Sequence, residues 1–277
     1  MKLKVLTDNN TIIDRYFLGE PGVSYLIQDG DTKILFDLGY SDVFMKNGEK
    51  MDENFKDIDY IVLSHGHLDH SWGLKDLITR FNDWDFEKTK YKRPTLIAHP
   101  LVFNYKEYKG KCFGSIIDKK IAEKYFDLKL TKEPLWLTEN IVFLGEIERI
   151  NSFENIDSMG EIHIDTRMRD DYLLDDSALA YKGKNGNFII TGCSHSGICN
   201  IIDYAKKVTE EDKVQDVIGG IHMINPKEEI LNSSVEFFKD NKIKKAHLCH
   251  CIDLKSKIKF SEILEIKEVG SGLEIEI

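Results

Sequence analysis

Residues 64–70, Ser-His-Gly-His-Leu-Asp-His, put four side chains that can bind a metal within six positions. The run follows residues 60–63, a continuous apolar and β-branched stretch typical of a strand buried on both faces. Gly66 removes steric limits on the loop, so the imidazoles of His65 and His67 can converge on one ion. Asp69 and His70 can reach a second ion, and two ions roughly 3.5–4 Å apart can bridge a hydroxide nucleophile. We therefore predict a metal site here rather than a histidine-rich surface loop.

The apolar pattern predicts strands and helices in two similar halves. The first half has predicted strands at residues 3–6, 23–28, 33–36, 60–63 and 95–98, and a helix over 70–81. The second has predicted strands at 178–181, 188–191, 214–218 and 245–249, and helices over 197–208 and 226–241. Residues 105–165 give mixed signals, with a helix at 116–125 and strands within 135–144. Since no linker interrupts the chain, we predict one domain over residues 1–277, an α/β sandwich of two pseudo-repeated halves with two sheets between helices.

Composition and charge indicate which kinds of partner and which cellular location to expect. The chain has 38 basic and 48 acidic residues and a net charge of −10, which disfavours binding to a phosphate backbone. No stretch approaches the ~20 apolar residues that span a bilayer, and residues 1–10 lack the pattern of a secretory signal. The five cysteines are odd in number and are interpreted as reduced thiols. We expect a cytoplasmic protein that acts on a small molecule, without nucleic acid or membrane as partner.

The run from His65 to His70 resembles the HxHxDH signature of the metallo-β-lactamase-fold superfamily. The resemblance implies an αββα sandwich, two mixed sheets between helical layers, with the metal site at the edge where the sheets meet. It further implies two divalent ions. Zinc is the expected metal, and manganese, iron and nickel are the alternatives. The implied first site is His65, His67 and His195; the implied second site is Asp69, His70 and His250, with Asp69 also the catalytic residue.

Most of the superfamily adds an acidic ligand that bridges the two ions, and no Asp of this chain stands in the corresponding place. Three replacements remain open: the Cys193 thiolate, His222, or solvent alone. We interpret Cys193 as a packed thiol beneath His195, with ligation as the alternative, and His222 as a metal ligand or substrate contact. Asp37, in an Asp-x-Gly segment that matches the superfamily, is a candidate to support a metal-binding histidine through a hydrogen bond, or else a turn cap.

Within the superfamily, the chain is similar to the 7,8-dihydropterin-6-methyl-4-(β-D-ribofuranosyl)aminobenzene-5'-phosphate synthases, also described as dihydropteroate-synthase-like. The resembling segments are residues 63–74, 145–154, 175–179, 191–200, 219–222 and 250–251, of which Thr-Gly-Cys-Ser-His-Ser-Gly-Ile-x-Asn is the most specific. Ile252 and Asp253 replace the Thr-Gly that usually follows the last pair. By this similarity Glu154, Asp175 and Asp176 are candidates to hold a pterin-like ring, with turn capping as the alternative.

Three other histidines lie outside the implied metal sites. His99 follows a predicted strand and is a candidate substrate contact or a structural residue, whereas His163 and His247 are interpreted as structural. We expect a metal-dependent hydrolase that uses a metal-activated water on a small anionic or heterocyclic substrate. The alternatives are a dihydropterin-condensing synthase or transferase of the family type, and a non-catalytic metal or ligand sensor on the same fold.

Overall fold

The computed structural model describes residues 1–154 and 157–277. The strands are β1 (Lys2–Thr7), β2 (Ser24–Asp29), β3 (Thr32–Phe36), β4 (Tyr60–Val62), β5 (Thr95–Ala98), β6 (Lys106–Tyr108), β7 (Lys111–Cys112), β8 (Asp127–Leu130), β9 (Leu135–Trp136), β10 (Ile141–Phe143), β11 (Glu161–Ile164), β12 (Arg167–Asp170), β13 (Ala178–Gly183), β14 (Gly186–Thr191), β15 (Val214–Gly219), β16 (Lys245–Leu248), β17 (Glu265–Ile266) and β18 (Glu274–Glu276). The helices are α1 (Val43–Lys50), α2 (Leu68–Ser71), α3 (Gly73–Phe86), α4 (Lys119–Tyr125), α5 (Ile198–Thr209), α6 (Glu228–Asp240) and α7 (Leu254–Ser261).

Two seven-stranded mixed sheets repeat one plan. The first has the order β18-β1-β2-β3-β4-β5-β8, with β1, β2 and β3 antiparallel and β3, β4, β5 and β8 parallel. The second has the order β17-β16-β15-β14-β13-β10-β9, in which the antiparallel pair β13 and β14 is followed by parallel β15, β16 and β17. In each sheet an antiparallel hairpin therefore leads into parallel strands whose carboxyl ends share one edge.

Three apolar cores define the layers. Between the sheets, Tyr25 and Phe36 of the first pack with residues such as Phe143 and Phe188 of the second, all fully buried. The outer face of the first sheet packs on α1 and α3, and that of the second on α5 and α6. The predicted αββα sandwich is confirmed.

The structure adds elements that the sequence pattern did not predict. A third sheet, of order β12-β11-β6-β7, forms from strands within residues 106–112 and 161–170, where we predicted no strand. The helix after the metal-binding run begins at Leu68 and breaks at Trp72, so His70 lies in α2. Helix α4 begins at Lys119 rather than at residue 116, because the Asp118 carboxylate accepts the Ile121 N–H at 2.8 Å and fixes the first turn.

No helix in the described part of the chain is long and apolar enough to cross a membrane.

Candidate metal centre

The predicted ligands meet at one edge of the sandwich because each follows the end of a strand. His65 and His67 come after β4, His195 after β14, His222 after β15 and His250 after β16. The carboxyl ends of parallel strands share an edge within each sheet. The two sheets pack face to face across a common apolar core. Side chains from both halves of the chain thus converge on one place.

His65, His67 and His195 form the first group of donors, whose ligand atoms lie within 4.8 Å of one another. Their ring centroids are 4.6–4.9 Å apart. Burial, followed by the neighbouring histidines and Lys106, holds the pKa of His65 well below its usual value. Burial likewise lowers the pKa of His67 and of His195. The three imidazoles are therefore neutral, which is the form that binds a metal.

The hydrogen-bond pattern leaves the Nε2 lone pair of His65 free to bind an ion. Ser64 Oγ donates to Asp37 Oδ2 at 2.7 Å, so it accepts from His65 Nδ1–H at 2.9 Å. The Nε2 atoms of His65 and His67 are buried and find no hydrogen-bond partner among the described residues. Since buried polar atoms are nearly always paired, these two atoms fit a metal ion as the missing partner.

Asp69, His70, Cys193 and His250 form the second group, again within 4.8 Å. His70 Nε2 lies 3.2 Å from His250 Nε2, and His250 Nε2 lies 3.3 Å from Asp69 Oδ2. His70 Nδ1 donates to Asp37 Oδ2 at 2.7 Å and His250 Nδ1 donates to Asn9 Oδ1 at 2.9 Å. Both rings therefore turn their Nε2 lone pairs toward each other and toward a carboxylate, an arrangement that needs a cation or proton between them.

Electrostatics agrees with a cation-binding second group. Burial lowers the pKa of His70, but the carboxylates of Asp69 and Asp37 outweigh it and raise that pKa to about 9. Burial likewise raises the pKa of Asp69, but His70 and His250 outweigh it and hold that pKa at about 2. Asp69 is therefore an anion at neutral pH, and the group favours positive charge. To bind a divalent ion, His70 would have to release the proton that the carboxylates otherwise hold there.

Backbone shape at the edge also serves this arrangement. A Cβ atom at Gly192 would lie 2.2 Å from Ser64 Oγ and 2.8 Å from Asp37 Oδ2, so only glycine lets β14 end against the Asp37 network. Asp37, Ser194 and His250 adopt left-handed backbone conformations, with φ of 53°, 62° and 58°. Such conformations in non-glycine residues cost energy and cluster at functional sites.

Lys106 is a component of the site that the sequence analysis missed. Its side chain is 2% exposed, and its Nζ donates to Asp171 Oδ2 and Asp175 Oδ1 at 2.8 Å each. Asp175 Oδ2 accepts the Gly66 N–H at 2.9 Å. The buried ion pairs thus anchor the loop between His65 and His67 to the third sheet.

Comparisons with known proteins place the chain in a family. The family model of the metallo-β-lactamase superfamily matches residues 18–96. A 7,8-dihydropterin-6-methyl-4-(β-D-ribofuranosyl)-aminobenzene-5'-phosphate synthase of Methanocaldococcus jannaschii is 30% identical over 283 residues, which cover 97% of this chain and 92% of the relative. The chain belongs to the metallo-β-lactamase superfamily. An uncharacterized protein of the same organism is 33% identical over 264 residues, which cover 94% of each chain.

Solved structures support the same fold. A metal-dependent hydrolase of the β-lactamase superfamily superposes with a TM-score of 0.84 at 24% identity, covering 100% of this chain and 99% of that one. The metallo-β-lactamase fold protein YhfI from Bacillus subtilis gives a TM-score of 0.57 at 15% identity, with the same coverage. The αββα sandwich is thus that of the superfamily.

The remaining predicted site residues of this metallo-β-lactamase-fold chain have varied surroundings. His222 lies beside His195, with ring centroids 4.2 Å apart, and its donor atom groups with those of Cys193 and His195. His99 Nε2 pairs instead with Glu146 Oε2 at 2.9 Å, and His99 belongs to none of the donor groups found among the described residues. His247 pairs with Asp216 at 3.2 Å, in keeping with the structural role we assigned to it.

The three acids proposed to hold a heterocycle also hydrogen-bond to protein groups. Asp176 Oδ2 accepts the Ser196 N–H and O–H, and burial raises the pKa of Asp176 to about 6. Asp175 faces Lys106, whose charge outweighs burial and lowers the pKa of this carboxyl. Glu154 accepts the N–H groups of Cys199 and Asn200 in the first turn of α5. Of the three acids, Glu154 alone also lines a cavity at the site.

Two cavities open beside the donor groups. One of about 310 Å³ is lined largely by apolar side chains and reaches His195 and His222, with Glu154 in its wall. The other, of about 220 Å³, is lined by donors from both groups, among them His67, Asp69 and His250. A bound molecule can therefore place its reacting atoms at the donors and its body in the larger cavity.

Replacing Asp37 with asparagine is expected to weaken metal binding by the second group about 10- to 100-fold. The amide would present N–H groups to His70 Nδ1 and Ser64 Oγ, which favours the wrong histidine tautomer, while asparagine still accepts the left-handed backbone. Competitive titration of zinc against a chelator measures the change. The matched control is Asp216→Asn, which alters the Asp216–His247 pair outside the donor groups and should leave zinc affinity unchanged. Equal effects of the two substitutions would contradict the assigned role of Asp37.

Glu154 gives the folded protein a specific pH dependence. Burial raises its pKa from 4.5 to about 7, so between these values the folded state keeps a proton that the unfolded state releases. The free energy of unfolding therefore falls as the pH rises through this window, by up to roughly 3 kcal/mol. Glu154→Gln should remove that fall, measured by urea unfolding from pH 5 to 8, whereas the exposed control Glu148→Gln should keep it. An unchanged slope in Glu154→Gln would show that burial does not protonate this side chain.

Proposed function

We propose that the chain is a metal-dependent hydrolase that holds two divalent ions, one in each donor group, and that zinc is the preferred ion. The observation that carries the proposal is the pairing of a buried, neutral three-histidine group with an Asp69, His70 and His250 group. The ring centroids of His65 and His70, one from each group, are 4.2 Å apart. The chemistry of the donors fits zinc, because imidazole and carboxylate are its usual ligands. The buried Nε2 atoms of His65 and His67 supply the independent sign that an ion belongs there.

Ions bound there would polarise a substrate oxygen and lower the pKa of water toward neutrality. The residues of the chain supply the remaining functions. Asp69, anionic and partly exposed in the smaller cavity, is placed to accept a hydrogen bond from an attacking water and to orient it. Asp37 and Asn9 fix the orientation of His70 and His250. The apolar wall of the larger cavity excludes water from the body of the substrate.

The cavity linings favour a heterocyclic substrate over a polyphosphate. Neither lining contains a Lys or Arg among the described residues, so a large anion would depend on the bound ions alone. Glu154 offers carboxylate oxygens to an N–H-bearing ring, and Leu173, Ile198 and Ile221 offer apolar contact. We therefore favour a small, mainly neutral heterocycle with hydrogen-bond donors on one edge.

A dihydropterin-condensing synthase is the second candidate. Its support is the name of the 30% identical relative, a dihydropterin synthase whose similarity extends over nearly the whole length of both chains. A bicyclic ring with amino groups also suits a cavity with two carboxylates, Glu154 and Asp157, and largely apolar walls. Against it stand Ile252 and Asp253, which replace the Thr-Gly of the similar group next to His250.

A substrate panel with the metal-loaded protein tests both candidates. Lactones, thioesters and phosphodiesters with heterocyclic groups assay hydrolysis, while a dihydropterin pyrophosphate with an arylamine assays condensation. We expect hydrolysis of at least one heterocyclic ester, and loss of that activity in Asp69→Asn. Condensation without hydrolysis would favour the synthase, and no turnover of any compound would favour a metal or ligand sensor.

A further inference from the structure

Cys193 lies between the two histidine groups of the metal centre. Its Sγ is 3.1 Å from His70 Nε2 and shares a 4.8 Å cluster with the ligand atoms of Asp69, His70 and His250. Its Sγ and the donor atoms of His195 and His222 also lie within 4.8 Å of one another. Among the described residues, Cys193 is thus a donor that links the second group to a ligand of the first.

The spacing of the donors is close to that of a four-ligand site. Ligand atoms about 2.0–2.3 Å from a tetrahedral zinc ion are about 3.3–3.8 Å apart. The neighbouring donor pairs here are separated by 3.1 Å for His70 and Cys193, 3.2 Å for His70 and His250, 3.3 Å for His250 and Asp69, and 3.7 Å for His70 and Asp69. Cys193 therefore completes a set of four, which Asp69, His70 and His250 alone do not.

No carboxylate of the described residues competes for this place. Asp69 is the only acid in the donor groups found among those residues. Asp216, in the neighbouring strand β15, is committed to Lys245 and His247 at 3.1 and 3.2 Å. The position that an acidic ligand would fill between two ions is therefore open to a thiolate.

We propose that the Cys193 sulfur is a metal ligand of the Asp69, His70 and His250 site, where it takes the place of an acidic bridging ligand. The inference rests on the proposed two-metal function. The S–H bond breaks as the sulfur–metal bond forms, and the proton leaves to solvent. Because thiolates bind zinc more strongly than the harder manganese ion, the site discriminates in favour of zinc.

Cys251 is the natural control because it is the other thiol at the site. Its Sγ accepts the His222 N–H at 3.3 Å and lies 3.5 Å from the Cys193 carbonyl oxygen, but it belongs to none of the donor groups found among the described residues. Cys199, buried in α5, is a second control for the loss of a packed thiol.

Cobalt substitution tests the inference without reference to activity. The Co(II)-loaded wild-type protein, Cys193→Ser, Cys251→Ser and Cys199→Ser are compared by near-ultraviolet absorption, with bound cobalt counted for each. We expect a thiolate-to-Co(II) charge-transfer band in the wild type that is lost in Cys193→Ser and kept in the two controls. Persistence of the band in Cys193→Ser, or its absence from wild-type protein that holds two ions, would overturn the inference and leave the proposed function standing.

A second measurement covers the case in which Cys193→Ser does not fold. Zinc X-ray absorption of Cys251→Ser should show a sulfur neighbour at about 2.3 Å, because Cys193 remains. Only nitrogen and oxygen neighbours in that variant would overturn the inference. Failure of the wild type to bind any ion would overturn the proposed metal centre and the inference with it.

Discussion

Replacing His67 with alanine is expected to weaken metal binding by the first group at least about 100-fold, since even outer hydrogen-bond partners of metal ligands contribute 10- to 100-fold. His67 is one of three donors, is 2% exposed and has a buried Nε2 that no described residue satisfies. Turnover should fall on the order of 10³-fold, because the ion supplies several kcal/mol of transition-state stabilisation. Equilibrium dialysis with element analysis measures the first effect, and steady-state kinetics the second.

The matched control for this substitution is His163→Ala. His163 is an exposed histidine of β11 outside the donor groups, so its loss should change neither metal content nor rate. A His67→Ala protein that keeps its full metal content would contradict the assigned first group.

Replacing Lys106 with methionine is expected to lower the free energy of unfolding by about 3–5 kcal/mol, because removal of one partner of a buried ion pair leaves the other partner's charge buried without compensation. Asp171 and Asp175 are 3% and 0% exposed and would lose their shared cation. Because Asp175 also holds the Gly66 N–H, metal affinity should fall as well. Urea unfolding and a zinc titration measure the two effects.

Lys92→Met is the control for this prediction, because Lys92 pairs with Asp59 on the surface and is 56% exposed. Exposed pairs contribute little, so this variant should unfold almost as the wild type does. A similar, small loss of stability in both variants would show that the buried pairs do not anchor the loop.

The layered fold could be predicted because its strands are apolar enough to be recognised one at a time. β4 and β14 are short buried runs, and the predicted hairpins meet at turns such as Gly30. The third sheet was not predicted because all four residues of β12 are exposed, so this strand shows no alternation of apolar and polar residues. Helix α1 was not predicted because two of its buried positions hold Asn47 and Gly48, which are not apolar side chains. The buried Asn47 Nδ2 donates to the carbonyl oxygens of Leu6 and Leu18.

The candidate site divides in the same way. The clustered donors could be foreseen because each lies in a short motif or directly after a recognisable strand. Lys106 and Asn9 could not, because Lys106 meets Asp175 across 69 positions and Asn9 meets His250 across 241. Such long-range partners depend on how the third sheet and the first strand pack, and no local pattern encodes that packing.

The number of divalent ions that the wild-type chain binds tests the central claim most directly. Protein purified without chelator, saturated with zinc and dialysed, is analysed for metal and protein in the same sample. The two donor groups predict two zinc ions per chain. One ion or none at saturation would contradict the two-metal centre.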